Sequence, residues 1–159
     1  MSFAAEPATE EALRASLSAA GLRVTSPRLA ALKVLSEHQH AETDEIAALV
    51  RERLGSVSTQ AVYGVLQALT DAGLVRRIAT QSRSAARYEI QQHDNHHHLL
   101  CRVCGKLVDV ACVVGAAPCL EPADSLGFEI EAADVLFHGV CAACRDAPAT
   151  ETVAVTSTG

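Results

Sequence analysis

Two Cys-x-x-Cys pairs, Cys101/Cys104 and Cys141/Cys144, constrain this chain more than any other feature. Each pair forms a tight knuckle presenting two sulfurs, and two converging knuckles enclose a tetrahedral zinc ion with no open coordination position. Gly105 follows the first pair and relieves its turn. A thioredoxin-like redox motif would account for one pair and leave the other unexplained. The expected zinc is therefore structural and stitches the end of a small domain to its start. Neither half of a 159-residue chain buries a generous core alone, so a metal staple or a dimer interface has to supply part of the stability. The six cysteines, behind an acidic, alanine-rich start that lacks the pattern of a secretory signal, point to a reducing cytoplasm where such pairs hold metal. No apolar run is long enough to cross a membrane.

The net charge of −6 argues against a nucleic-acid partner only until its distribution is considered. Residues 21–88 hold nine Arg or Lys against six acids, whereas from 89 onward Arg102, Lys106 and Arg145 face ten acids. A basic module thus precedes an acidic, metal-rich one. The expected boundaries are a flexible tail over 1–9, a DNA-binding module over 10–90 and a hinge over 91–95. A dimerisation and metal-binding module follows over 96–145. The last stretch, 146–159, offers neither periodicity nor turn chemistry and is expected to be disordered.

In the first module a helix over 10–20 ends at Gly21. A second runs to 37 with Pro27 in its first turn and Thr25 or Ser26 as cap. Thr43 caps a third helix, and Ser58 caps a fourth over 59–72, stopped by Gly73. The β-prone runs 74–78 and 86–90 make a hairpin, and helices followed by a hairpin describe a winged helix-turn-helix. In the fourth helix Val62, Val65, Leu66 and Leu69 share one face, which leaves Gln60, Gly64 and Gln67 outward and Tyr63 on the flank. This uncharged, hydrogen-bonding face suits base edges as well as it suits solvent. Arg76, Arg77 and Arg83 in the hairpin, placed to contact phosphates, decide in favour of DNA. The second module reads as strands over 97–102 and 107–110 around the first knuckle, then strand over 128–130 and 135–137 leading into the second pair. The expected class is α+β.

His96-His97-His98 stands directly before the first knuckle. On a strand, His96 and His98 face one side and His97 the other, so two imidazoles reach one ion. Glu89 ends the preceding strand, Asp109 lies on the following one, and His40 precedes the third helix. A mixed nitrogen and oxygen shell favours Fe(II), Mn(II) or Zn(II) and, unlike a thiolate site, exchanges. The residues alone mark His96 and His98 as ligands and leave His40 open; a merely polar His run is the alternative.

Gly21-Leu-Arg-Val-Thr25-Ser-Pro-Arg28, Thr59-Gln-Ala-Val-Tyr63-Gly-Val-Leu, Ala72-Gly-Leu-Val75, Arg87-Tyr-Glu89, His96-His-His98-Leu-Leu-Cys101-x-x-Cys104-Gly and Gly139-Val-Cys141-x-x-Cys144 together resemble the ferric uptake regulator (Fur) superfamily. The resemblance spans residues 13–145. The Asp94-Asn95-His96-His97-His98 run, with Cys112 and Cys119, is similar to the actinobacterial FurA or CatR-type, peroxide-responsive branch, whose members often repress catalase-peroxidase genes. It implies an N-terminal winged helix-turn-helix and a small C-terminal α/β dimerisation domain with a four-cysteine zinc site. It also implies a regulatory metal, Fe2+ or Mn2+, on His40, Glu89, His96, His98 and Asp109. Tyr63 matches the family's DNA-reading tyrosine and Arg28 a basic position of its second helix. Thr59 and Gln60 fall in the same DNA-reading segment. Asp109 matches peroxide sensors and Glu89 matches iron sensors, and Gly64 replaces a larger polar side chain.

The reading that results is a cytoplasmic, homodimeric, metal-dependent repressor of operator DNA, and not an enzyme. Peroxide acting on bound Fe(II) would oxidise His40 or His96 and release repression, with Cys112 and Cys119 as redox thiols or bystanders. The alternative within the family is an iron- or zinc-uptake regulator without peroxide sensing. A zinc deaminase is disfavoured because its His-x-Glu and Pro-Cys-x-x-Cys pattern is absent and a four-cysteine zinc has no place for water. A zinc-stapled interaction module without DNA binding would leave the outward face of the fourth helix unexplained.

Overall fold

Thr9 opens the first helix as the residue types require: its hydroxyl accepts the N–H of Ala12 at 3.3 Å, and Glu10 and Glu11 follow in the first turn, where the helix dipole favours acids. The computed structural model describes residues 8–79, 86–91, 96–110, 126–127, 129 and 135–146. The chain divides into two units, Met1–Asp94 and Asn95–Gly159.

The first unit contains α1 (Glu10–Ala19), α2 (Ser26–Glu37), β1 (Ala41–Glu42), α3 (Thr43–Leu54), α4 (Thr59–Asp71), β2 (Val75–Ile78) and β3 (Arg87–Ile90). Helix α2 sits at the centre, against α1, α3, α4 and β3, and half of its residues, among them Leu32, Val34 and Leu35, are buried. Leu17, Ile46, Val50, Leu66 and Leu69 complete the core from the other helices. Removing such apolar surface from water contributes roughly 1.5–3 kcal/mol per large side chain, which is what holds the helices together. Ser58 caps α4 by accepting the N–H of Ala61 at 3.1 Å. Gly73, at φ +69°, lets the chain turn: its N–H reaches Thr70 O and that of Leu74 reaches Leu69 O, a paired closure that sends the backbone straight into β2.

Several sequence expectations change here. Thr43 is the first residue inside α3 and is buried, so Glu42 holds the cap position and gives no side-chain cap bond. The reason is β1, which sequence reading missed: Ala41 and Glu42 pair antiparallel with Tyr88 and Arg87, making a three-stranded sheet in the order β1-β3-β2. Thr25 occupies the cap position of α2 without a side-chain bond, and Pro27 provides the start instead. Gln91, expected to begin a hinge, donates its N–H to Leu74 O at 3.0 Å and extends the β2–β3 pairing. Residues 92–95, Arg83, Cys112, Cys119, Phe128 and the 147–159 tail lie outside the described residues.

In the second unit β4 (His97–Cys101) is central, with β5 (Leu107–Val110) antiparallel on one side and β6 (Leu136–Gly139) parallel on the other. The second knuckle begins at Cys141 and leads into the short α5 (Ala142–Arg145). Strand β4 starts at His97 as expected and ends one residue early, at Cys101; His96 therefore precedes the strand, although the sequence reading sets it on the strand with His98. The sheet carries an exposed apolar row: Val108 and Phe137 both stand beside Leu99 in register, and all three side chains are exposed. Among the described residues no helix is long and apolar enough to cross a membrane.

Candidate metal centres and nucleic-acid face

The second unit brings the four predicted cysteines together. Cys101 ends β4, Cys104 follows in the turn, and the β4–β6 pairing, Cys101 beside Gly139, delivers Cys141 and Cys144 to the same place. The four sulfurs lie within 4.8 Å of one another, and Cys104 Sγ is 3.7 Å from Cys141 Sγ. Gly105, at φ +72°, donates its N–H back to Cys101 O at 2.9 Å and closes the first knuckle. The backbone N–H of Cys141 lies 3.3 Å from Cys101 Sγ; this and the N–H of Cys104 hold the Cys101 thiol well below its ordinary range. The sulfurs of Cys104 and Cys141 around Cys144 push that thiol up. Four thiols this close cannot all ionise against their mutual repulsion, and a divalent cation removes that obstacle, so the donor set fits a closed tetrahedral metal site.

The remaining predicted ligands form one imidazole–carboxylate pair in each unit. In the first unit His40 Nε2 lies 3.0 Å from Glu89 Oε2, with Glu89 buried. Glu89 Oε1 lies 3.6 Å from Arg76 Nε. In the second, His98 Nε2 lies 3.3 Å from Asp109 Oδ1 across the β4–β5 register, and His98 is only 1 % exposed. The His96 ring stands edge-on against that of His98, with centroids 5.0 Å apart, so it keeps the side expected of it although it lies outside the strand. His97 faces the opposite side and is also buried, edge-on against Phe137. A pair that shares a proton between Nε2 and a carboxylate can exchange that proton for a metal ion. The donor chemistry fits an exchangeable divalent cation.

The α4 face has the composition expected: Val62, Leu66 and Leu69 are buried, Val65 is half-buried, and Gln60, Gly64 and Gln67 are exposed. Tyr63 is 44 % exposed. A Cβ added at Gly64 meets nothing within 4 Å, so the face is open there. Thr59 Oγ1 accepts from Arg51 Nη2 at 3.2 Å, and Arg28 donates from Nη1 to Arg23 O at 2.8 Å. Arg76 turns toward Glu89, whereas its neighbour Arg77 is exposed.

Sequence reasoning missed Arg87. Its Nη1 donates to His40 O at 3.2 Å and its Nη2 to Glu42 Oε1 at 3.1 Å. Only the strand pairing brings these residues together, and no local spacing rule signals it.

The sequence matches the ferric uptake regulator family over residues 19–138. It is 53 % identical over 130 residues to ferric uptake regulation protein 1 of Mycolicibacterium fortuitum, covering 82 % of this chain and 80 % of that protein. It is 52 % identical over 128 residues to the transcriptional regulator FurA of Mycobacterium tuberculosis, covering 80 % and 86 %. The peroxide-responsive repressor PerR of Staphylococcus epidermidis is 33 % identical over 138 residues, covering 83 % and 87 %. Among solved structures, the Helicobacter pylori ferric uptake regulator superposes with a TM-score of 0.67 at 23 % identity, covering 89 % of this chain and 97 % of that one.

Proposed function

The chain belongs to the ferric uptake regulator family of metal-dependent transcriptional regulators, which are not enzymes, and from that premise we propose a homodimeric, peroxide-responsive repressor of operator DNA. The observation that carries this reading is the repeated imidazole–carboxylate pair, one in each unit, each with Nε2 facing the carboxylate. Two ligands from one unit make half a coordination shell. A divalent ion, Fe2+ or Mn2+, would be held by His40, Glu89, His96, His98 and Asp109, and its occupancy would shift the population toward the DNA-binding arrangement. Cys101, Cys104, Cys141 and Cys144 hold Zn2+ for structure.

The first unit acts as a winged helix, with α4 in the major groove and the β2–β3 hairpin against the backbone. Tyr63, Gln60 and Thr59 provide base-edge and sugar–phosphate contacts. Arg28 and Arg77 supply charge for phosphates, and Arg76 adds to it where Glu89 does not hold it. The exposed row Val108–Leu99–Phe137 supports a second copy of the chain as the partner of the second unit, because a dimer places two recognition helices on an inverted repeat. Metal-loaded protein is expected to bind such a duplex with an affinity that falls steeply with salt as phosphates are neutralised. Tyr63→Ala should weaken operator binding by roughly 10-fold or more, the range of 1–3 kcal/mol for a good base contact, and binding to random duplex far less. Fluorescence anisotropy on both duplexes measures this; equal losses on the two would remove Tyr63 from sequence reading.

The peroxide response follows from the ligand types. Fe2+ held by these residues would supply the one-electron reductant that splits peroxide, and His40 and His96 would be the oxidisable ligands beside it. Adding peroxide to the Fe2+-loaded protein should release DNA and add oxygen to His40 or His96, while the Mn2+-loaded protein holds its DNA. Mass spectrometry of the peptides carrying His40 and His96, beside a gel shift, reads both events. Release that tracks oxidation of Cys112 and Cys119 would make the sensor a thiol switch, and no release would make the protein a metal-uptake regulator of iron or zinc.

A further inference from the structure

His40 is gripped twice by one strand. Glu89 and Arg87 are two residues apart on β3 and therefore project from the same face. Glu89 takes the His40 imidazole at 3.0 Å, and Arg87 takes the His40 backbone carbonyl at 3.2 Å. The second arm of the Arg87 guanidinium reaches Glu42 Oε1 at 3.1 Å, on the far side of Ala41, so one planar group ties His40 to the end of β1. Gln39 secures the preceding residue by accepting the N–H of Ile90 at 3.3 Å.

This grip matters because His40 sits at φ +64°, in the left-handed region that is uncommon for a residue with a Cβ, even for histidine, which visits it more often than most. Released from Arg87, the backbone at His40 would be free to relax toward negative φ, which would turn the imidazole away from Glu89. We infer that Arg87 is a positioning residue for the exchangeable metal: it holds His40 in the one backbone conformation that presents Nε2 beside the Glu89 carboxylate, before any ion arrives. The inference rests on the reading of His40 and Glu89 as ligands. Groups that orient ligands from outside the shell typically change metal affinity by about 10–100-fold.

The test measures Mn2+ affinity, by electron paramagnetic resonance or calorimetry, on the full zinc-loaded chain. The variants are Arg87→Gln, Arg87→Lys, His40→Ala and the double variant His40→Ala/Arg87→Gln, and thermal unfolding of each metal-free protein is followed in parallel. Arg87→Gln should weaken Mn2+ binding by roughly 10–100-fold. Arg87→Lys, which keeps one cationic donor for the His40 carbonyl, should lose less. In the His40→Ala background Arg87→Gln should cost nothing further, because the ligand it positions is gone. A residue that merely held the sheet together would lower affinity equally in both backgrounds, and that result overturns the inference, as does unchanged affinity in Arg87→Gln. If His40→Ala itself leaves Mn2+ affinity intact, the ligand assignment has failed, and the inference falls with it for that separate reason. Should Arg87→Gln fail to fold, the Arg87→Lys affinity in the two His40 backgrounds decides the question.

Discussion

Cys101→Ser is expected to strip zinc from the four-cysteine cluster and to take the fold of the second unit with it. Cys101 is the buried member of the set, at the end of the central strand, and it meets the backbone N–H of Cys141 as well as the other three sulfurs. Among the described residues the apolar core of this unit is small, with Leu100 and Leu107 its main aliphatic contributors. Four-thiolate zinc contributes ~10 kcal/mol or more to folding, as much as the whole stability of an ordinary domain. The variant should therefore lose one zinc per chain by elemental analysis, lose its dimer peak on gel filtration, and lose metal-dependent DNA binding as a consequence. A zinc-free Cys101→Ser protein that remains a dimer with a native circular dichroism spectrum would show that the knuckles do not hold the unit together.

What was legible in the sequence is what local geometry determines. The Cys-x-x-Cys spacing forces two sulfurs to one side of a turn whatever the rest of the chain does, and the Schellman-like stop at Gly73 and the Ser58 cap need only a few neighbouring residues. The 3.6-residue pattern of Val62, Leu66 and Leu69 identified the buried face of α4, and with it the exposure of Gln60, Gly64 and Gln67.

Features made by long-range pairing were not legible. The two-residue β1 is too short to carry an alternating pattern, yet its pairing with β3 moves Thr43 from cap to helix and recruits Arg87 to His40. The parallel β4–β6 pairing delivers the second knuckle, and the cysteines implied that convergence without revealing the strand order. The pleat of a strand already sets His97 and His98 on opposite faces in the sequence, but the burial of both rings comes only from the sheet around β4. Arg76 looks in sequence like a second free basic residue beside Arg77; the register sets it opposite Glu89 instead.

His98→Ala separates regulation from structure. The ring is almost fully enclosed and its Nε2 faces Asp109, while the four cysteines of the candidate zinc site are all other residues. A closed thiolate site exchanges slowly, so on the proposed reading the response to free metal would reside in the histidine–carboxylate ligands. The variant should keep its zinc and its dimer and lose Mn2+ affinity by more than ~100-fold, beyond what changes to outer-shell groups produce. The most direct test titrates Mn2+ into wild-type and His98→Ala dimers in the presence of labelled operator duplex at one salt concentration. The wild type is expected to pass from weak to tight operator binding as Mn2+ rises, with His98→Ala flat over the same range; a His98→Ala dimer that tightens on DNA at the wild-type Mn2+ midpoint would contradict the assignment of a regulatory metal to these residues.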